Sequence, residues 1–264
     1  MSKSIFRWSL WSPTPASVFM LSHSIGTVRA FFRDEATCVV HSDNVALVEA
    51  NLLSPALVRD YSSHSRGQFC DPRSTWMKWA PCARLDANLP EVQLDADVFL
   101  VSEPEELRAF CQSPSNYRLL ASQEEFVELW PYGTFGPQLP RPFVPINAGI
   151  VGQQAGADIS LELLNLYETW RSRADRGEFL YHDEQGALAL LLQSYCQRGE
   201  VLLLDAARYR VVCPLNSPPV ETLVGIRGLH ATYPEHPAFW RFLPEIAAVS
   251  GLSEELPSWR SSTG

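Results

Sequence analysis

The chain has 264 residues, 46% hydrophobic and 19% charged, which suits one large α/β domain or two small ones around a sizeable core. Its 21 basic and 30 acidic residues leave a net charge of −9, which argues against electrostatic wrapping of a nucleic-acid polymer or an anionic membrane. No stretch approaches the ~20 apolar residues of a membrane span, and Pro13 and Pro15 interrupt the N-terminus before a signal-peptide pattern forms, so a soluble, cytoplasmic protein is expected.

The first predicted strand covers residues 16–21. Ser24 is expected to cap a short helix over 27–32, and the β-branched run 36–41 forms the next strand before the turn Ser42-Asp43-Asn44. A strand–helix–strand unit predicts parallel strands ending at one edge, where open α/β sheets bind ligands. His23, Ser24, Asp43 and Asn44 are then candidates for nucleotide contacts; solvated loop residues are the alternative. A helix is predicted over 45–53, and a polar, mobile loop over 61–71. Another helix is predicted around Trp76-Met77-Lys78-Trp79, with the tryptophans packed inward. Lysine occurs only at Lys3 and Lys78, and Lys78 stands among bulky apolar residues where a free lysine is unexpected. Lys78 and Arg84 are available to reach the acidic stretch that follows.

That stretch is Leu94-Asp95-Ala96-Asp97-Val98-Phe99-Leu100. On a strand, residues two apart point to the same side, and two ionised carboxylates on an apolar strand are costly to bury. Two readings follow. One is a strand ending in an acidic turn. The other is a carboxylate pair holding Mg²⁺ or Mn²⁺ with a substrate diphosphate on the open positions.

Beyond it, Pro104 and the acids Glu105 and Glu106 open a helix. Residues 124–145, rich in Pro, Gly and aromatics, read as an irregular acceptor-side loop. A strand over 145–152 carries Asn147 and two glycines. Asp158 or Ser160 caps a helix to about residue 173, with Leu161, Leu164, Tyr167 and Trp170 on its apolar side. A further helix starts at Asp183-Glu184-Gln185. Strands over 201–205 and 209–213 precede Gly228-Leu229-His230 and a C-terminal helix over 237–249; the tail past residue 256 is polar. The six cysteines, Cys38, Cys70, Cys82, Cys111, Cys196 and Cys213, match no metal-ligand spacing and read as buried thiols of a reducing compartment. His182 and His236 read as structural or solvated.

Taken in order, Leu94-Asp95-Ala96-Asp97-Val98, Ile146-Asn147-Ala148-Gly149-Ile150, Asp183-Glu184-Gln185 and Gly228-Leu229-His230 resemble the motifs of GT-A nucleotide-sugar glycosyltransferases. The similarity is to the glycogenin-like and bacterial lipopolysaccharide galactosyltransferase-like group, and covers about residues 16–240. The resemblance implies a single Rossmann-like α/β domain over 1–256, with a mixed central sheet and helices on both faces. The donor-nucleotide half would be 16–101, the donor-sugar and acceptor half 102–256, and 257–264 a flexible tail. It implies Asp95, Asp97 and His230 as metal ligands, and Asn147, Asp183 and Gln185 at the donor sugar, with Asp183 and Gln185 catalytic. Lys78 or Arg84 would contact the diphosphate or sugar, and His23 and Asp43 remain nucleotide-contact candidates. Two carboxylates and an imidazole suit Mn²⁺ better than Mg²⁺.

Two departures stand out: an extra residue separates Asp183 from Gln185, and no Gly-x-x-Lys-Pro-Trp pattern follows His230, so Arg227 or Arg241 would substitute for that lysine. The expected activity is metal-dependent hexosyl transfer from a nucleotide-diphosphate sugar, a UDP-sugar by preference, with retention. An inverting reaction would instead require Asp183 or Glu184 as general base. The acceptor is a saccharide, a small molecule or a protein. The alternatives are a sugar-phosphate nucleotidyltransferase, which lacks its usual basic Gly-rich loop at 22–26, and a non-catalytic nucleotide-sugar-binding protein.

Overall fold

The computed structural model describes residues 3–61, 69, 71–80, 83–112, 116–125, 128–214 and 220–258. Most of the loop expected at 61–71, Cys70, Cys82 and the end of the C-terminal tail lie outside the described residues. The strands are β1 (Ser4–Leu10), β2 (Ala36–Ser42), β3 (Leu57–Asp60), β4 (Glu91–Leu94), β5 (Val98–Leu100), β6 (Leu119–Gln123), β7 (Ile146–Gln153), β8 (Val201–Leu204), β9 (Tyr209–Val212) and β10 (Gly228–Ala231). The α-helices are α1 (Pro15–Phe32), α2 (Val45–Asn51), α3 (Glu105–Gln112), α4 (Ser160–Ala174), α5 (Asp183–Gln197), α6 (Pro237–Arg241) and α7 (Leu243–Ser250).

Seven strands form a mixed sheet in the order β3-β2-β1-β4-β7-β6-β8, and β5, β10 and β9 form a second, smaller sheet. β1 runs parallel to both β2 and β4, while β7 is antiparallel to β4. The chain leaves β1 toward β2 on one side, and β4 lies on the other. The carboxyl ends of β1 and β4 therefore flank a topological switch point, the usual ligand crevice of open α/β sheets.

The first strand is not where the sequence placed it. Residues 16–21 lie inside α1, and β1 precedes them. Thr14 caps α1 in a reciprocal pair with Ser17, and Pro15 occupies its first turn. Val18, Leu21, Ile25, Val28 and Phe32 join the core under β1, β2 and β4. Phe19 and Met20 join a separate cluster with Phe99, Leu229, Phe239 and Ile246. A helix buried on opposite sides loses the polar stripe that marks amphipathic helices, so its apolar run reads as a strand. The loop after β1 is Trp11-Ser12-Pro13-Thr14, which also lacks glycine and basic residues.

β1 escaped notice because Arg7 sits in its middle. That guanidinium is 2% exposed, 3.1 Å from Glu91 and 2.7 Å from Gln93, both on β4. The other face of the large sheet packs Leu119, Ala121, Ile146 and Val151 against Trp76, Tyr167, Trp170 and Leu188, so helices cover both faces. In α4 the buried stripe is Leu163, Tyr167, Trp170 and Ala174, shifted from the expected one, and Leu161 is 69% exposed. The expected C-terminal helix is two, α6 and α7, meeting at Phe242. Among the described residues no helix is long and apolar enough to cross a membrane. Cys38 and Cys111 are buried, and burial pushes their thiols up to about 11 and about 12.

Candidate metal and donor site

Asp95 and Asp97 do not lie on one strand. They occupy the turn between β4 and β5, where the chain leaves the large sheet for the small one. Asp95 N–H donates to Gly149 O at 3.0 Å and Val98 N–H to Asp95 O at 3.1 Å, which pins the turn to β7. β10 pairs with β5 so that His230 stands opposite Val98, and Ala231 N–H donates to Asp97 O at 2.9 Å. This register carries the imidazole over the turn. His230 Nε2 is 3.3 Å from Asp97 Oδ1 and 3.6 Å from Asp95 Oδ2. One ligand atom from each of the three residues lies within 4.8 Å of the others. Cation–ligand bonds of about 2.1 Å put adjacent octahedral ligands about 3 Å apart, so the set fits a six-coordinate divalent ion with positions left over. The donor chemistry, two carboxylates and one imidazole, suits Mn²⁺.

The electrostatics show how the charges are balanced. Burial pulls the His230 imidazole down, but Asp97 and then Asp95 outweigh it and raise it above its ordinary value. Burial opposes ionisation of Asp97, yet His230 and His236 hold its carboxyl well below the usual range. Lys78, on the 3₁₀ turn Thr75–Trp79, is 7% exposed; its ammonium lies 3.0 Å from Asp95 Oδ2 and 3.5 Å from Glu184 Oε2. Desolvation works against that charge, and the carboxylates of Asp95 and Glu184 overcome it and push Lys78 up. Glu184 also accepts from Trp79 Nε1 at 2.5 Å and Thr75 Oγ1 at 3.1 Å, while burial raises its carboxyl against the pull of Lys78. The expected reach of Lys78 to the acidic turn is therefore direct.

Because β7 runs antiparallel to β4, its start lies beside the turn. Asn147 Oδ1 accepts from Gly149 N–H at 2.8 Å and lies 3.1 Å from His230 Nδ1. Its amide group donates to Glu124 Oε2 at 2.9 Å and Gln185 Oε1 at 3.3 Å. Gln185 Oε1 accepts from Ala148 N–H at 3.2 Å, and its own amide donates to Pro131 O at 3.2 Å. Asn147 and Gln185 thus meet in one polar network that reaches His230. Gly149 leaves the room this requires, since a Cβ there would stand 2.4 Å from His230 Nδ1.

Asp183, at the start of α5, is fully buried. Its oxygens accept from Thr134 N–H at 2.5 Å, Trp170 Nε1 at 2.8 Å and Leu180 N–H at 2.7 Å. These donors hold the start of α5 against the 3₁₀ segment Trp130–Gln138 and α4.

Other candidates stand elsewhere. Arg84 turns its guanidinium onto the carbonyls of Leu89, Gln153, Gln154 and Ala157, beside the start of β4 rather than its end. Four carbonyl acceptors engage both terminal nitrogens of this half-buried guanidinium and keep it from the acidic turn. His23 and Ser24 lie in the middle of α1, not at a strand edge: His23 Nδ1 is 2.9 Å from Ser250 Oγ, and Ser24 donates to Val98 O at 2.6 Å. Asp43 does lie at the carboxyl edge, where both its oxygens accept from Ser12 N–H at 2.9 and 3.0 Å. Asn44 caps α2 by accepting from Leu47 N–H. Arg227 pairs with Glu105 and Glu106, and Arg241 with Glu221, so neither is turned to the metal site.

Three participants were missed or undervalued. Glu124 had been assigned to an irregular loop, and no local signal marks it. Glu184 adjoins Asp183, but its bond to Lys78 spans 106 positions. His236, expected to be structural or solvated, has its Nδ1 3.1 Å from Asp97 Oδ2. Exposed rings of Tyr181, Trp130 and Tyr233 surround the neighbouring imidazoles: Tyr181 and Trp130 each lie 5.8 Å from His182, and Tyr233 lies 6.2 Å from His236.

No protein-family profile matches the sequence, and no curated protein matches it. Solved structures do resemble the fold. The galactosyltransferase LgtC, solved with donor and acceptor sugar analogues, superposes with a TM-score of 0.57 at 16% identity, covering 94% of this chain and 95% of that one. Mouse xyloside xylosyltransferase 1 gives 0.52 at 12% identity, covering 87% and 97%. The bifunctional glycosyltransferase WbbM gives 0.58 at 11% identity, covering 94% of this chain and 49% of that one. A seven-stranded mixed sheet with helices on both faces, a switch point between β1 and β4 and this likeness together give the chain the GT-A fold of nucleotide-sugar glycosyltransferases.

Proposed function

We propose that the protein is a metal-dependent glycosyltransferase that moves a sugar, a hexose by preference, from a nucleotide-diphosphate sugar to an acceptor. The observation that carries this is the convergence of Asp95 and Asp97, on the turn that leaves the large sheet, with His230 on a strand of the small one, beside the switch point. These three would hold Mn²⁺. When bound, the ion neutralises charge on the leaving diphosphate as a Lewis acid. The glycosyltransferase names of the structural neighbours, and the donor and acceptor analogues bound in one of them, support the reading.

The remaining roles follow from residue chemistry. Lys78 brings a second positive charge to the diphosphate side of Asp95. Asn147, Gln185 and Glu124 form a network of donors and acceptors of the kind that orients sugar hydroxyls. Asp183, with its oxygens occupied, would act by holding the start of α5 and so placing Gln185. Asp183 and Glu184, the carboxylates an inverting reaction would call on as base, already accept hydrogen bonds within the fold, which favours retention. In this reading residues up to 101 serve the nucleotide, and the rest serve the sugar and acceptor. The uridine diphosphate series is the preferred donor. The exposed rings of Tyr181 and Tyr233 offer flat faces to a saccharide acceptor.

Thermal unfolding with UDP, GDP and CDP, each with and without Mn²⁺, tests the proposal. A metal-dependent rise in Tm with one nucleoside diphosphate is expected. No such rise with any of them would overturn it. Slow donor hydrolysis, lost in Asp97→Ala, separates an enzyme from a binding protein.

A further inference from the structure

The segment after β10 takes an uncommon path. Glu235 and His236 are consecutive non-glycine residues in the left-handed region, with φ of 59° and 48°. Such backbone is unfavourable for residues that carry a Cβ, and it persists only where its surroundings over-determine it. Here the path folds the His236 ring back over the end of β10, and Pro237 then starts α6.

The ring has two partners on one nitrogen. Nδ1 is 2.7 Å from Ala231 O and 3.1 Å from Asp97 Oδ2. A carbonyl oxygen only accepts, so Nδ1 carries the proton and shares it between carbonyl and carboxylate. That nitrogen is thereby unavailable as a metal ligand. The two oxygens of Asp97 now have separate surroundings: Oδ2 is held by His236, while Oδ1 faces His230 Nε2 at 3.3 Å. The Asp97 main chain is held as well, through its carbonyl to Ala231 N–H.

We infer that His236 is a positioning residue of the cation site: it restrains Oδ2 of Asp97 so that Oδ1 alone is presented, beside His230, to a divalent ion. Ligating carboxylates are commonly oriented by a hydrogen-bond donor behind them, and loss of such a partner typically weakens metal binding 10- to 100-fold. The inference rests on the metal-site reading above. It adds a residue from outside the ligand set and assigns each Asp97 oxygen a different duty.

The test is direct Mn²⁺ binding by the full chain, read from the electron paramagnetic resonance signal of free Mn²⁺, with thermal unfolding measured in parallel. His236→Gly keeps the left-handed backbone and removes the ring. His236→Asn also tolerates that backbone and puts an amide nitrogen near the Nδ1 position. His236→Gln puts one near Nε2 instead. The expected result is a Mn²⁺ Kd raised at least 10-fold in the Gly and Gln variants and kept within about 3-fold of wild type in Asn, with Tm of the metal-free Gly variant unchanged. Wild-type affinity in His236→Gly, or rescue by Gln and not by Asn, would overturn the inference. Asp97→Ala separates the two levels. If wild type binds no Mn²⁺, the metal-site reading and this inference fall together. If wild type binds, Asp97→Ala does not and His236→Gly does, only this inference falls.

Discussion

Asn147 decides which nitrogen of His230 meets the acidic turn. Its Oδ1 accepts from Gly149 N–H, and its amide group faces Glu124 and Gln185, so the oxygen is the atom left to face His230 Nδ1. An acceptor there keeps the proton on Nδ1 and leaves the lone pair on Nε2, beside Asp95 and Asp97. Asn147→Leu is expected to weaken Mn²⁺ binding 10- to 100-fold, and Asn147→Asp, which keeps an oxygen in place, to weaken it less. Isothermal titration with MnCl₂ measures both. Equal affinity in wild type and Asn147→Leu would contradict the arrangement.

Lys78 and Glu184 form a buried pair, and removing one partner strands the other. Lys78→Met should cost about 3–5 kcal/mol of unfolding free energy, because Glu184 keeps its burial and loses its cation. Lys78→Met with Glu184→Gln should recover most of that loss while leaving metal-dependent nucleotide binding impaired. Urea unfolding of the two single variants and the double variant checks the coupling, and additive costs would deny it.

Gly149→Ala places a methyl group 2.4 Å from His230 Nδ1 and 2.9 Å from Asn147 Oδ1. Neither ring nor amide can yield without breaking their mutual bond. The variant should fold and lose Mn²⁺ binding at least 10-fold. Circular dichroism and titration together test this; a Gly149→Ala protein with wild-type affinity would show that His230 has room to move.

His23 has no solvent exposure, and burial lowers its imidazole from 6.5 to about 4. The unfolded chain therefore takes up a proton below pH 6.5 that the folded chain refuses until about pH 4. This residue's contribution is fully present above pH 7 and is lost as pH falls through that window. The slope approaches about 1.4 kcal/mol per pH unit, for a total of about 3 kcal/mol. His23→Asn, which does not titrate, should narrow its stability gap to wild type as pH drops from 7 to 4.5 in urea unfolding. A constant gap would refute the assignment.

Much of the site was legible because its chemistry is local. Two aspartates two apart, an amide before glycine and a histidine after glycine are visible one by one. β2, β7, β8, β9 and α5 followed from β-branched and apolar runs and an acidic first turn, whereas Gly228-Leu229-His230 was not expected to be a strand. What stayed hidden depends on distant partners. Arg7 makes β1 look too polar for a strand until Glu91 is beside it. α1 looks like a strand because two separate clusters bury its two sides. The same-side argument for Asp95 and Asp97 does not hold: a turn, not a strand, brings them together. His236 reaches Asp97 only through the left-handed backbone at Glu235 and His236, which no residue type announces.

The ligand set draws on a turn leaving the large sheet and on a strand of the small one, about 135 residues apart in sequence. Under the proposed function, an ion held there would be a clasp between two sheets as well as a cofactor. Its affinity adds to folding stability as RT ln(1 + [Mn²⁺]/Kd), about 2.7 kcal/mol at a hundredfold excess over Kd. Amides of β5, β9 and β10 should therefore exchange hydrogen more slowly as Mn²⁺ is added, while those at the far edge in β3 should not respond. Occupancy of the site would then be recorded in the mechanical union of the two sheets, before any sugar is transferred.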